Sequence, residues 1–263
     1  MYEYHLLKWT YTPADFFEWP IAWAATGCAI KIENGQVEAR IESVHPPEDS
    51  LRSDLQKELN GRFQAVQLLT HKKFSLSQSS LTSVDDDGRP HHKLSASCEA
   101  VLKIKDFADV VKCNADGKVI SDSKKERQIK QQSFAELVAK LSPANPVAVA
   151  ILKSYSTAVN DPPNELIYLY EVKDALARHY GGEGPAIAAT GVSANRWRRL
   201  RSLANVEPLT QGRHRGAKIG SLRDATEEEL AEARKITREL IEGFLRHLDG
   251  LPPVQPAPEN SAG

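Results

Sequence analysis

The residues with the clearest chemical potential form the sequence Arg213-His214-Arg215, which stands between two glycines. Arginine guanidinium groups bind phosphodiester oxygens in bidentate pairs, and a histidine imidazole transfers protons near neutral pH. The three residues are therefore candidates for metal-independent cleavage of a phosphodiester. They would serve equally well as a basic loop that binds carbonyl groups or carboxylates of its own fold. Both interpretations stay open.

A strongly basic segment surrounds this loop. From Ser193 to Arg223 the sequence has eight Lys and Arg residues against one acid, Glu207, a net charge of +7. The whole chain has a formal net charge of −1, so the remaining residues carry −8. Such a segment on an acidic background is typical of a protein with a phosphate-bearing partner; the alternative is a solvated helix face paired with the acid-rich helix downstream. The candidate nucleic-acid-binding residues are Arg196, Arg198, Arg199, Arg201 and Lys218.

Residues 187–201 resemble a helix-turn-helix. The stretch has a turn glycine, Gly191, followed by an apolar residue, a capping serine and apolar anchors at Trp197 and Leu200. Ile187 occupies a position where that motif normally has a small residue. In this interpretation the arginines that follow the serine lie on the helix that reads nucleic acid. The same pattern is also typical of any short helix–glycine–helix corner.

The first half of the chain has the pattern of antiparallel strands. Short alternating runs of β-branched and aromatic residues predict strands at 5–12, 23–32, 36–44, 63–71, 74–84 and 94–104. A short helix is predicted at 49–59, and Asn34-Gly35 predicts a hairpin turn. The acid-rich segment 85–92 is predicted to be a solvated hairpin tip rather than a metal site.

After residue 121 the apolar period becomes helical. Capping boxes at Ser133–Glu136 and Thr226–Glu229 predict two helix starts, and Asn145-Pro146 and Asp161-Pro162 predict two more. The sequence therefore predicts an α+β protein. Its parts are a β-rich domain at 1–121 (an antiparallel sandwich or partly open barrel), a helical bundle at 122–250 and a disordered Pro-rich tail at 251–263.

Several classes of protein are excluded by what the sequence lacks. It has no run of about 18 apolar residues that would span a membrane, and its first residues do not have the pattern of a secretory signal. Its three cysteines are far apart, as in reduced cytoplasmic proteins. It has no Gly-rich phosphate loop, no zinc-protease helix and no nucleophile elbow, so no metal or cofactor is predicted.

A strand-rich amino-terminal domain followed by a helical bundle with Arg213-His214 in a late loop resembles the Apea-like HEPN proteins of bacteria, over residues 124–250. The resemblance implies a metal-independent endoribonuclease that acts as a homodimer in antiviral defence or a stress response. In that family an arginine precedes the histidine by five to seven positions. His214 would match the histidine, but no arginine stands at the expected positions, which are occupied by Glu207, Pro208 and Leu209 and are followed by Thr210. Catalysis and simple binding both stay open.

The leading hypothesis is a cytoplasmic bacterial protein that engages RNA through its helical bundle and cleaves it. His214 would move a proton at the ribose 2′-hydroxyl or leaving oxygen, and Arg213 and Arg215 would stabilise charge on the phosphoryl oxygens. The alternative hypothesis is a non-catalytic module that binds nucleic acid or a protein partner.

Overall fold

The computed structural model describes residues 2–25, 27–85, 90–92, 111–113, 119–218 and 220–252. The chain divides into two compact units, Met1–Val66 with Lys72–Phe134 and Gln67–His71 with Ala135–Gly263. The predicted α+β class, with antiparallel strands first and helices after them, is confirmed. The strand predicted at 94–104 and the tail from residue 253 onward lie outside the described residues.

The first unit contains an antiparallel sheet. Its strands are β1 (Tyr2–Thr12), β2 (Ile21–Ala25), β3 (Cys28–Glu33), β4 (Gln36–Ile41), β5 (Ser75–Leu76), β6 (Ser80–Asp85) and β7 (Pro90–His92). They are arranged in the order β2-β3-β4-β1-β6-β7, and β5 pairs with the end of β1. Two further strands, β8 (Val111–Cys113) and β9 (Val119–Asp122), form a separate antiparallel pair.

The predicted hairpin turn is present at Asn34-Gly35. Both residues have positive φ, 48° and 80°, and Glu33 pairs directly with Gln36. Asn and Gly adopt this conformation more readily than other residues, which is why the pair predicts the turn. The single strand predicted at 23–32 is wrong, because β2 and β3 are separate strands joined at residues 26–27, where Gly27 has a φ of 77°.

Helix α1 (Asp49–Thr70) replaces two of the predicted elements. The sequence predicted a helix at 49–59 and a strand at 63–71, but the whole segment is one helix of 22 residues. Leu55, Leu59, Phe63 and Val66 recur at three- and four-residue spacing and are buried in the same core as the strands. That burial outweighs the strand propensity of the phenylalanine and valine. The second layer of this unit is therefore a helix rather than another sheet.

Six more helices follow. They are α2 (Ser123–Leu141), α3 (Pro146–Asn160), α4 (Glu165–His179), α5 (Glu183–Thr190), α6 (Ala194–Arg201) and α7 (Glu227–Leu248). Helix α6 continues into a π-helical segment, Ser202–Val206, and short 3-10 turns lie at Ser142–Ala144, Pro162–Asn164 and Arg215–Lys218.

The predicted helix starts fare differently. The Asn145 side chain accepts hydrogen bonds from two backbone N–H groups at 3.0 Å, and Thr226 and Glu229 form the expected capping box. The start predicted at Ser133 is wrong: α2 already begins ten residues earlier, so the N–H groups near Ser133 are bonded within the helix. The start predicted at Asp161-Pro162 is present, since a 3-10 turn begins at Pro162 and leads into α4, but the Asp161 side chain caps no backbone N–H. Its carboxylate instead accepts a hydrogen bond from the Asn164 side-chain amide at 2.7 Å.

Helix α7 supplies the central apolar surface of the helical unit. Ile236, Leu240, Ile241 and Phe244 are almost completely buried. A Cβ atom placed on Gly243 would lie 2.2 Å from the carbonyl oxygen of Thr190, so the backbone of α7 touches the last turn of α5. Only glycine permits this approach.

Within the described part of the chain, no single helix has both the length and the apolar character needed to cross a membrane. The helices Ser123–Ala144 and Pro146–Asn160 meet that test only when taken together, and they are bent by 118° relative to each other.

Substitution of Gly243 by alanine is expected to lower the free energy of unfolding by about 2 kcal/mol or more, because α5 must move away from α7 to admit the methyl group. Gly184→Ala is the matched control: nothing lies within 4 Å of its added Cβ, so alanine in α5 should be neutral or stabilising. Urea unfolding followed by circular dichroism measures both. Equal effects of the two variants would contradict the close contact.

Candidate nucleic-acid interface

The predicted corner between two helices is present at residues 187–201. Gly191 ends α5 with a φ of 71°, and its N–H donates to the carbonyl oxygen of Ile187 at 2.9 Å. Ser193 is extended and leads directly into α6, although its side chain forms no capping hydrogen bond. The small buried residue on α5 is Ala186 rather than Ile187, which is half-buried. The isoleucine therefore does not obstruct the corner.

The inner face of α6 is apolar, as its spacing predicts. Trp197 and Leu200 are completely buried, and the stripe continues through Leu203 and Ala204 in the π-helical segment. This burial determines which of the neighbouring arginines face solvent, because side chains three and four positions apart share a helix face.

Two of the predicted binding arginines are paired within the chain. Arg196 forms an ion pair with Glu239 at 2.7 Å, and Arg199 contacts Glu232 at 2.8 Å and Glu207 at 2.6 Å. Glu232 and Glu239 both belong to α7. For Arg196 and Arg199 the alternative interpretation, pairing with the acid-rich helix downstream, describes the contacts observed. These ion pairs flank the buried stripe and hold α6 on α7.

The other two arginines of α6 face solvent. Arg198 is exposed and donates to the Asn195 side-chain oxygen at 2.5 Å and to the Ala194 carbonyl, but it contacts no described carboxylate. Arg201 is exposed and has no hydrogen bond or ion pair among the described residues. Asn195, Arg198 and Arg201 are separated by three residues each and share the solvent face of α6. This face therefore presents two guanidinium charges that no described acid neutralises.

The loop that contains His214 is attached to α4. The Arg213 guanidinium lies 2.9 Å from Asp174 Oδ2, and its central carbon lies 4.8 Å from the ring centroid of Tyr170. Arg215 donates to the Gly212 carbonyl oxygen at 2.9 Å and to the side-chain oxygen of Asn164. The described ion pair of Asp174 is thus with this loop and not with a residue of its own helix. Both arginines thus fix the loop.

His214 itself is exposed and has no hydrogen bond among the described residues. The backbone N–H of Arg213 donates to the carbonyl oxygen of Ala204 at 2.8 Å, which holds the loop next to the end of the π-helical segment that continues α6. The side chain of Lys218, also predicted to bind nucleic acid, lies outside the described part of the structure.

An ion-pair network connects α6, the segment that follows it and the first turn of α7. Arg223 pairs with Glu229 at 2.6 Å and with Glu207 at 3.3 Å, and Glu207 also binds Arg199. The hydrogen bonds from Arg223 lower the pKa of Glu229 to about 2, although partial burial alone would raise it. The only acid of the basic segment therefore joins two of its arginines and neutralises part of the predicted charge.

Lys173 is a buried cation that the sequence interpretation missed. Its side chain is 1% exposed, and its Nζ lies 2.5 Å from Glu183 Oε1 and 5.1 Å from the ring centroids of both Tyr170 and Trp197. It thereby connects α4, α5 and α6 behind the corner. Its position between Leu169 and Leu176 on the apolar side of α4 was the available signal.

Glu165 forms a second buried polar centre at the start of α4. Its carboxylate is 1% exposed, receives two hydrogen bonds from Arg234 at 2.6 and 2.9 Å, and lies 3.3 Å from His71 Nε2. Burial alone would raise the pKa of Glu165, but the contacts with Arg234 and His71 outweigh it and lower that pKa. Residues so distant in sequence give no local pattern, so this centre was not predictable.

Among the described residues, no group of three or more His, Cys, Asp and Glu side chains is arranged to hold a metal ion.

No family model matches the chain, and no curated protein or solved structure matches it either. The features that bear on function are therefore those of the surface of α6 and the adjacent loop.

The low pKa of Glu229 predicts a loss of stability in acid. Between its ordinary pKa of 4.5 and the folded value of about 2, the unfolded chain binds more protons than the folded protein. The free energy of unfolding therefore falls as the pH decreases through this range. Glu229→Gln keeps an acceptor for the capping box but has no titratable group. It should therefore reduce the acid-induced loss of stability by about 1–2 kcal/mol, and the effect is no larger because solvent screens the half-exposed Arg223.

Urea unfolding at a series of pH values measures the effect. Arg223→Gln is the matched partner variant and should flatten the pH dependence to the same degree, and the double variant should add little to either single change. An unchanged acid slope in both single variants would contradict the assigned ion pair.

Proposed function

We propose that the helical unit binds nucleic acid through the solvent face of α6, formed by Asn195, Arg198 and Arg201. The observation that carries this proposal is that Arg198 and Arg201 are exposed and without a described carboxylate partner, although acids bind other arginines of the same segment. A helix that presents unneutralised guanidinium groups attracts phosphate.

The corner geometry favours a duplex as the ligand. Helix α6 follows α5 across a short turn, as the second helix of a helix-turn-helix does when it enters the major groove. Arginine can bind guanine or phosphate in a bidentate manner there, and asparagine can bind adenine. The pairing of Arg196 and Arg199 with α7 fixes α6 before the ligand arrives, so little conformational entropy is lost on binding. A cytoplasmic location is part of this proposal.

The double variant Arg198→Ala/Arg201→Ala should weaken duplex DNA binding by about tenfold to a hundredfold and reduce the salt slope of the binding constant by roughly 2, since two phosphate-binding charges are lost. Arg178→Ala is the matched control, because Arg178 is an exposed arginine of α4 outside the solvent face of α6. Fluorescence anisotropy at several salt concentrations, with duplex DNA and RNA in parallel, measures both effects.

Binding that is equally weakened by Arg178→Ala, or that is independent of salt, would contradict the assignment to α6. A stronger response of RNA than of duplex DNA would identify RNA as the ligand of this surface, as the resemblance to Apea-like HEPN proteins implies.

A second candidate function, cleavage of RNA, rests on the exposure of His214 between two arginines with fixed side chains. Arg213 binds Asp174 of α4, and Arg215 binds Asn164, directly before α4. The imidazole would remove the proton from a ribose 2′-hydroxyl, whose oxygen forms a bond to phosphorus while the bond from phosphorus to the 5′-oxygen breaks. The leaving 5′-oxygen takes a proton from water. Arg215 contacts no described carboxylate and would stabilise charge on the phosphoryl oxygens. Arg213 is partly neutralised by Asp174 and would contribute less.

Incubation of the protein with mixed RNA in EDTA tests this second function. Wild-type protein should release fragments with cyclic phosphate ends, and His214→Ala should abolish the release while it leaves nucleic-acid binding by α6 intact. The control is Arg178→Ala, which should cleave normally. Intact RNA with the wild-type protein would exclude cleavage under these conditions without affecting the binding proposal.

A further inference from the structure

Strand β2 lies at one edge of the described sheet, and alternate residues along it direct their backbone groups away from the sheet. Ala25 pairs with Cys28 across a two-residue connection, a position at which both residues exchange hydrogen bonds in an antiparallel hairpin. Hydrogen-bonded pairs alternate along such a ladder, so Trp23 and Ile21 also bond to β3. Counting from the Asn34-Gly35 turn through β4 and β3 gives the same assignment. Ala22 and Ala24 therefore direct their N–H and C=O groups away from the sheet.

No described residue pairs with these outward groups. Strand β2 pairs with β3 alone in the described sheet, and the side chains of Ala22 and Ala24 are exposed. An edge strand whose outward N–H and C=O groups are unpaired can pair with a strand of another molecule.

The composition of β2 is unusual for a free edge. Its five residues, IAWAA, contain no charge and no proline, whereas β1, β3, β4 and β6 each contain at least one charged residue. Charged or proline-containing edges prevent pairing between molecules, and β2 lacks both features. The exposed alanines of β2 and Ala29 of β3 also line a concavity of about 670 Å³ over the exposed face of the sheet, together with Lys31, Glu38 and Arg40.

We propose that β2 pairs with β2 of a second copy of this chain, antiparallel and across a two-fold axis, so that two sheets become one. With Trp23 on the axis, Ala22 lies opposite Ala24 of the partner subunit and Ala24 lies opposite Ala22 of the partner subunit. These are the residues whose backbone groups point outward, so both pairs form two N–H···O=C hydrogen bonds, four in all.

A second copy fits this edge because the strand carries no charged side chain. Symmetric pairing places each residue near its own equivalent, so any charge near the axis would face a like charge. The seam contains only uncharged side chains, and the nearest cation on the exposed face, Lys31 of β3, already pairs with Glu33 at 2.5 Å. On the other face Trp23 is held by Glu58, which accepts from its Nε1 at 2.8 Å, and by Arg62, 4.0 Å from its ring centroid. Glu58 and Arg62 pair with each other at 3.1 Å, so together they bring no net charge to the axis. The two fixed indoles would form a cross-strand aromatic pair.

Sedimentation velocity across a concentration series tests the pairing. The wild-type protein should show a monomer–dimer equilibrium with a dissociation constant in the micromolar range, since a seam of two short strands makes a small interface. Ala24→Pro removes an outward N–H without disturbing the bonds to β3, and it should raise the dissociation constant by about tenfold or more.

Ala24→Lys provides a second variant in case proline impairs folding, because it brings two cations close to the seam. Ala29→Lys is the matched control: it adds the same charge to the same face one strand away and should leave the dimer intact. A wild-type protein that stays monomeric, assembles beyond a dimer or remains dimeric with both Ala24 variants would overturn the proposal. Pairing of this edge with a strand of a different protein predicts the monomeric result.

Discussion

The ion pairs between α6 and α7 determine which side of α6 meets solvent. Arg196 and Arg199 lie on either side of the buried tryptophan and bind Glu239 and Glu232, so α6 cannot rotate without breaking both pairs and exposing the indole. The contact between Gly243 and Thr190 places α5 directly against the same helix. The exposure of Arg198 and Arg201 is a consequence of these constraints, because they occupy the only face that remains.

The arginines on either side of His214 stabilise the fold and also fix the backbone around a candidate site. The guanidinium groups of Arg213 and Arg215 bind Asp174 and Asn164, so their positions are fixed before any ligand binds. The same contacts fix the backbone on both sides of the imidazole, which remains exposed. The structure therefore separates two roles that one basic sequence suggested: some cations hold the surface in place, and others remain available to an anion.

Local features were predictable because the forces that produce them act within a few residues. The Asn34-Gly35 turn depends on positive φ at adjacent positions, and the cap at Asn145 depends on N–H groups two and three residues away. Segment 63–71 was misassigned because its aromatic and β-branched residues favour a strand locally, whereas burial of the Leu55–Val66 stripe against the sheet decides for a helix. That contact joins residues far apart in sequence, so no local pattern reports it.

The sequence by itself determined the α+β order, the helix–glycine–helix corner, the apolar stripe of α6 and the excess of positive charge in residues 193–223. These properties follow from composition and from periods of two or about 3.6 residues, which are independent of the rest of the chain. Tertiary structure alone decided which positive charges remain available. The carboxylates that neutralise Arg196, Arg199 and Arg213 come from α7, from Glu207 and from α4, and only folding brings them within 3 Å.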